Sequence, residues 1–358
     1  MINSAFYDIS ISYDDNFEKG PPVSRQKTTP RKKDVWKKHK FLGFEVNSLF
    51  GIPAGPLLNE KFMKAAFDFG FDVSTYKTVR SDFFPSHPFP NVLHVEIDGD
   101  LDPERMPQLV AKKSPSKSVR EFSITNSFGV PSKKPEEWQE DVKKALAHAK
   151  DGQLLILSFM GTVKSNQTQE EFVDDFSRAA KLAASTGAKV LEANLSCPNI
   201  GNEGLVCYNL AVTEKVCQAV RREIGNLPLI LKVGYYKNNN DLEKLAKIAG
   251  KYANAIAAIN TLAVEVVDEK GRQALPGKNR LKSGICGASI KWAGIEMVDK
   301  LNHIRQKNKY QYSLVGIGGV MSPEDYFDYK KAGADLVQSA TAAMWNPNLA
   351  YEIWEKGV

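Results

Sequence analysis

The sequence predicts an α/β fold, a closed (β/α)8 TIM barrel with an N-terminal extension and with loops or hairpins inserted over its C-terminal face. Three observations predict it. Strand and helix patterns alternate along most of the chain. The strands are mostly continuous apolar runs, as expected for a parallel sheet covered by helices. About eight strand–helix units fit in what reads as one domain, which favours closure over an open doubly wound sheet. No G-x-G-x-x-G follows the first strand, so nothing supports a dinucleotide-binding open sheet.

Residues 1–40 are polar and basic without sustained periodicity and read as an extension or arm. Residues 41–358 read as the single barrel domain. Leu42 to Val46 and Phe50 to Ala54 are short strands, the second closing at Gly55-Pro56. A helix follows, with Asn59 as its N-cap. Phe71 to Tyr76 is a strand ending at Lys77. The segment from Arg80 to about Ser118 is irregular and proline-containing, with a small hairpin around Val92 to Ile97. Glu121 to Thr125 is the next strand and stops at Asn126.

Regular alternation then sets in. Helix Pro135 to Lys150 has proline in its first turn, where the missing N–H costs little. Strand Leu154 to Phe159 follows. Helix Thr168 to Thr186 carries an apolar stripe at Phe172, Phe176, Ala179, Ala180 and Ala183. After it come strand Ala188 to Ala193, helix Val212 to Ile224, strand Leu229 to Val233, helix Asp241 to Tyr252 and strand Ala255 to Ile259. Ala263 to Cys286 reads as a loop. Helix Ala288 to Ile304, strand Ser313 to Ile317, helix Pro323 to Ala332, strand Leu336 to Val337 and a last helix Thr341 to Lys356 complete the pattern.

Composition excludes several classes. No apolar run approaches the ~18 residues that span a bilayer, and no secretory signal pattern opens the chain, so no membrane association is expected. The cysteines are Cys197, Cys207, Cys217 and Cys286, none in a C-x-x-C pair. Free thiols in a reducing, cytoplasmic compartment are expected. The histidines are scattered, without H-E-x-x-H, and no metal site is expected. The net charge of +6 owes much to residues 25–40. That run reads as a solvated arm rather than an RNA-binding patch, because no aromatic stacking pattern accompanies it.

In a (β/α)8 barrel the C-terminal strand ends converge on one face. Here they carry Ala54-Gly55, Lys77-Thr78, Asn126, Ser158, Asn194 with Cys197 and Asn199, Lys232, Asn260-Thr261, Gly318-Gly319 and Ser339 to Thr341. Amides in that number suit a planar polar heterocycle, since each offers a donor and an acceptor. Lys77 and Lys232 each end an apolar strand, where a buried ammonium is costly unless it meets an anion. Gly-Gly and small hydroxyl residues at the last two strands suit a phosphate.

These residues stand in motifs: GIPAG (51–55), YKTV (76–79), NSFGVPS (126–132), ANLSCPN (193–199), LKVGYY (231–236), GICGASIK (284–291), GIGGVMSPEDYF (316–327) and AGADLVQSATA (332–342). In this order they resemble the dihydroorotate dehydrogenases, FMN-dependent barrel enzymes of de novo pyrimidine (UMP) biosynthesis. The resemblance covers roughly residues 42–350. A cysteine at position 197, with no apolar N-terminal helix, resembles the soluble class 1 type. It implies that Cys197 is the base and that Lys77 lies between substrate and flavin. Asn126, Asn194, Asn199, Asn260, Thr261 and the backbone of Phe128, Gly129 and Val130 are implied to hold the substrate. Ala54, Gly55, Lys77, Thr78, Ser158, Asn194, Lys232, Thr261, Gly284, Gly318, Gly319 and Thr341 are implied to hold FMN, Lys232 at its N1/O2 edge.

Ser132, Gly55-Pro56 and Ala340 depart from the class 1 pattern. The resemblance also implies a small-molecule substrate and a homodimer, with an electron-transfer partner subunit as the alternative. Two other readings stand beside it: a flavin enzyme for another dihydropyrimidine such as dihydrouracil, and an RNA-binding module with a decayed flavin site.

Overall fold

The computed structural model describes residues 6–25, 38–115, 117–196 and 205–357. The N-terminal part holds α1 (Tyr13–Lys19), β1 (His39–Phe41), β2 (Phe44–Val46), β3 (Phe50–Gly51), α2 (Glu60–Asp68) and β4 (Val73–Val79). An irregular stretch then gives β5 (Val92–Val95), β6 (Gln108–Lys112) and β7 (Ser123–Asn126). Alternation follows with α3 (Pro135–His148), β8 (Leu154–Phe159), α4 (Gln169–Ala184), β9 (Val190–Asn194), α5 (Leu210–Ile224), β10 (Leu229–Val233), α6 (Asn239–Tyr252) and β11 (Ala255–Ala258). After an inserted hairpin, β12 (Leu262–Val267) and β13 (Lys282–Gly287), come α7 (Lys291–Asn308), β14 (Ser313–Ile317), α8 (Pro323–Ala332), β15 (Leu336–Gln338), α9 (Thr341–Trp345) and α10 (Leu349–Glu355).

Eight strands form one parallel sheet in the order β3-β15-β14-β11-β10-β9-β8-β4. Its two ends meet. Thr75 N–H donates to Ile52 O at 2.8 Å, and the Gln338 amide donates to Val73 O and Thr75 Oγ1 across the same seam. The fold is a TIM barrel. Its helices form because their apolar positions recur on one face. In α4, Phe172, Phe176, Ala179, Ala180 and Ala183 are buried, and a Thr168–Glu171 capping box fixes the start.

Period-two alternation puts every second strand residue into the barrel. Val73, Leu154, Ile156, Val190, Ile230, Ala255, Val315 and Leu336 fill the lower interior, and Phe41 and Val46 join them. Leu42 to Val46, expected as a short strand, is the Leu42-Gly43 turn and second strand of an antiparallel β1–β2 hairpin packed with the lower interior. Above these layers the inward positions become Lys77, Ser158, Asn194, Lys232 and Gln338, all buried.

The inserted strands form a second sheet, a five-stranded barrel in the order β12-β13-β7-β5-β6. Two expectations are corrected here. Glu121 to Thr125 belongs to this second sheet, not to the main barrel. Ala263 to Cys286 is largely the β12–β13 hairpin, not a loop. The apolar run that made 121–125 look like a barrel strand is paired antiparallel between β5 and β13 instead. The expected last helix is two helices, α9 and α10, separated around Asn346-Pro347, where proline cannot continue a helix.

Residues 6–25, part of the expected extension, pack onto the barrel. Phe6 and Tyr7 are buried. The Phe6 ring meets Phe69 and Phe71 edge-on, and its N–H donates to Met344 O at 3.1 Å. The sequence there is polar on average, but its few aromatics are the residues that dock. Most of the basic run lies outside the described residues.

Candidate active site

A cavity of about 550 Å³ opens between the C-terminal mouth of the main barrel and the second sheet. Its floor is built by inward-facing strand ends. Lys77 and Thr78 come from β4, Asn194 from β9 and Lys232 from β10. The Asn194 amide donates to Thr78 Oγ1 at 3.3 Å. Lys232 Nζ donates to Ala54 O at 3.3 Å. Burial, with repulsion from Arg80 and Lys232, lowers the Lys77 ammonium to about 7. Burial also lowers Lys232, against the attraction of Glu192 and Cys286.

One wall comes from the second sheet and its loops: Asn126, Phe128, Gly129, Val130, Gly284 and Cys286. Asn126 Nδ2 lies 3.4 Å from both Gly284 O and Cys286 Sγ. The opposite side carries Gly318 and Gly319 after β14, and Ser339, Ala340 and Thr341 between β15 and α9. Gly318 and Gly319 have φ of 120° and 65°. A Cβ on Gly319 would lie 2.6 Å from the Lys291 backbone. No other residue type fits so close a turn, and side-chain-free backbone lining the cavity there suits a phosphate.

Of the residues singled out from sequence, the cavity is lined by Ala54, Gly55, Lys77, Thr78, Asn126, Phe128, Gly129, Val130, Asn194, Lys232, Asn260, Thr261, Gly284, Gly318, Gly319 and Thr341. Ser158 is fully buried beneath them and reaches the site through Thr78, its Oγ 2.9 Å from Thr78 Oγ1. Cys197 and Asn199 lie outside the described residues.

Sequence reasoning missed several groups. Tyr7 and His87 line the cavity although both come from segments read as irregular. Cys286 is a thiol in the cavity, its pKa raised by burial despite hydrogen bonds from Thr341 and Asn126. Glu192 lies one inward layer below Asn194, 1% exposed, with Oε1 lacking a hydrogen-bond partner. Burial raises its pKa, against Lys232 and Ser158. Its signal was legible: position 192 has the parity of Val190 and Asn194 on one strand.

Among the described residues no helix is long and apolar enough to cross a membrane. A family model described as dihydroorotate dehydrogenase matches residues 112–356. The chain is 36% identical to a dihydroorotate dehydrogenase of Dictyostelium discoideum over 98% of this chain and 96% of that one. It is 32% identical to the catalytic subunit of dihydroorotate dehydrogenase B (NAD(+)) of Alkaliphilus oremlandii, over 51% and 58% of the two chains. A dihydroorotate dehydrogenase A (fumarate) of Lactobacillus delbrueckii subsp. bulgaricus is 27% identical over 64% and 69%. With the barrel, the lysine-floored cavity and a full-length relative in agreement, the chain belongs to the dihydroorotate dehydrogenase family.

Proposed function

We propose that this chain oxidises dihydroorotate to orotate, with FMN bound in the cavity and Cys197 as the base. The observation that carries the reading is the pair of buried lysines, Lys77 and Lys232, on the floor of one amide-lined cavity. A buried ammonium calls for an anion, and a carboxylated ring above an anionic cofactor supplies two. Bound here, FMN would supply the acceptor for the hydride that leaves the substrate ring. The Gly318-Gly319 turn, Ser339 and Thr341 would hold its phosphate, and Ala54, Gly55, Thr78, Asn194, Thr261 and Gly284 its ring system and ribityl chain. Lys232 would face the N1/O2 edge, where a fixed positive charge stabilises negative charge that develops there. Ser158 would act by holding Thr78.

On the substrate side, Asn126, Asn194, Asn199, Asn260 and Thr261 would clamp the ring amides. Lys77 and the backbone of Phe128, Gly129 and Val130 would take the carboxylate. Cys197 would remove the C5 proton as a thiolate. A free thiol has a pKa of about 8.5, so its alignment on that proton matters as much as its basicity. We place the chain with the cysteine-base type, as a cytoplasmic homodimer that passes electrons to a small acceptor.

Anaerobic addition of dihydroorotate is expected to bleach the bound flavin, and orotate, but not uracil, to perturb its spectrum. Bleaching by dihydrouracil instead would transfer the reading to another dihydropyrimidine. Turnover compared side by side with fumarate, NAD and a quinone analogue identifies the acceptor. Cys197→Ala is expected to keep yellow FMN while turnover falls about 10²- to 10⁴-fold, the range for loss of a general base. Near-normal turnover in that variant would remove Cys197 from the mechanism.

A further inference from the structure

Arg80 follows β4 directly and is 5% exposed. Its guanidinium bridges two loops. Nε donates to Val130 O at 2.8 Å and Nη2 to Gly129 O at 3.0 Å. Nη1 donates to Gly161 O at 3.2 Å and Thr162 Oγ1 at 3.1 Å. The group also lies over the Phe84 ring, 4.0 Å from its centroid. The 161–162 side is itself anchored, because Thr162 N–H donates to the buried Asp175 at 2.7 Å and Ser81 donates to the same carboxylate.

A trans peptide points its C=O and N–H in opposite directions. His87 N–H ties down Phe128 O at 3.0 Å, and Arg80 ties down Gly129 O. The N–H groups of Gly129 and Val130 therefore point away from His87 and Arg80, and both residues line the cavity. Among the described residues neither N–H donates to a protein acceptor. Both residues are left-handed, Gly129 at φ 78° and Val130 at φ 51°. Gly129 leaves no room for a side chain, since a Cβ would lie 2.7 Å from the His87 ring. Valine adopts such a conformation only where its surroundings impose it.

We propose that Arg80 is a positioning residue that imposes the left-handed Gly129–Val130 backbone and so aims two N–H donors at the anionic edge of the substrate. The inference rests on the reading of this loop as substrate-binding. The planar fork is what the geometry uses. A single lysine ammonium cannot reach both loop carbonyls and the 161–162 side in one plane.

The test compares wild-type holoenzyme with Arg80→Lys and Arg80→Gln. Flavin content is measured first, then orotate affinity from the flavin spectrum, then dihydroorotate kinetics. Both variants are expected to retain flavin while orotate Kd and dihydroorotate KM rise about 10- to 100-fold, with kcat changed far less. Arg80→Lys keeps the charge, so it carries the test if Arg80→Gln does not fold.

A second readout needs no substrate. Ser127 and Ser132 flank the loop, with N–H groups bonded to Asn91 O and Phe84 O. Their amide exchange is expected to quicken at least about tenfold in Arg80→Lys. Orotate affinity within twofold of wild type, unchanged exchange, or a fall in kcat at constant KM would each overturn the proposal. If wild type fails to oxidise dihydroorotate, the exchange result still decides the clamp, and only the proposed reaction falls.

Discussion

Lys77 concentrates the electrostatics of the site. It is 6% exposed and is brought to about 7 by burial and by the neighbouring Arg80 and Lys232. Below that value the empty site presents an ammonium to an anion. Above it the charge is lost, so a ligand that needs the charge must bind a proton as well. Orotate binding should therefore weaken as pH rises from 7 toward 8.5, by up to about tenfold per pH unit. Lys77→Gln should bind weakly throughout and show a flat profile. A slope that survives in Lys77→Gln would assign the titration to another group. Lys232 differs from Lys77 because Glu192 on the next strand attracts its proton. Two lysines of similar burial thus have unlike surroundings, and the reason is the inward carboxylate of β9.

At the scale of the element, helix ends and sheet edges decide where the loops begin. The α4 helix starts at a reciprocal box in which Thr168 Oγ1 accepts from Glu171 N–H and Glu171 accepts from Thr168 N–H. Thr168→Ala should cost about 1 kcal/mol in urea unfolding. The box is exposed and neither residue lines the cavity, so flavin content should not change. A cost near zero would mean that packing of Phe172 and Phe176 alone fixes the helix start. The second sheet has a different role. It brings Asn126 and Gly284, 158 residues apart in sequence, to the same cavity wall. Neither strand could be recognised as part of a separate sheet from its own residues, because an apolar run reads alike in either setting.

At the scale of the whole molecule, the described segment 6–25 belongs to the body of the protein. Phe6 and Tyr7 connect the β-barrel, α9 and the loop at residues 128–130. Phe6 N–H bonds Met344 O, and the Tyr7 ring meets Phe128 edge-on at 5.4 Å. Phe6→Ala should destabilise by about 3–5 kcal/mol in chemical unfolding, as for other buried phenylalanines. A loss below about 1 kcal/mol would show that the segment is only draped over the barrel. Tyr13 adds a further edge contact to Phe128 at 6.1 Å, so the same segment backs the loop that Arg80 holds from the other side.

The sequence by itself determined the alternation, the closed parallel barrel, the lysines and amides at the strand ends and the glycine turn after β14. These follow from periodicity and local chemistry, which a linear chain displays. It also marked Cys197 and Asn199 as site residues, and these two lie outside the described residues. Tertiary structure alone decided that Asn126 and Gly284 stand on a second small barrel. It alone placed Tyr7 in the cavity wall, put Glu192 beneath Lys232 and turned Arg80 onto the carbonyls of residues 129 and 130. Each of these is a meeting of distant segments, set by sheet register and packing rather than by any pattern along one segment.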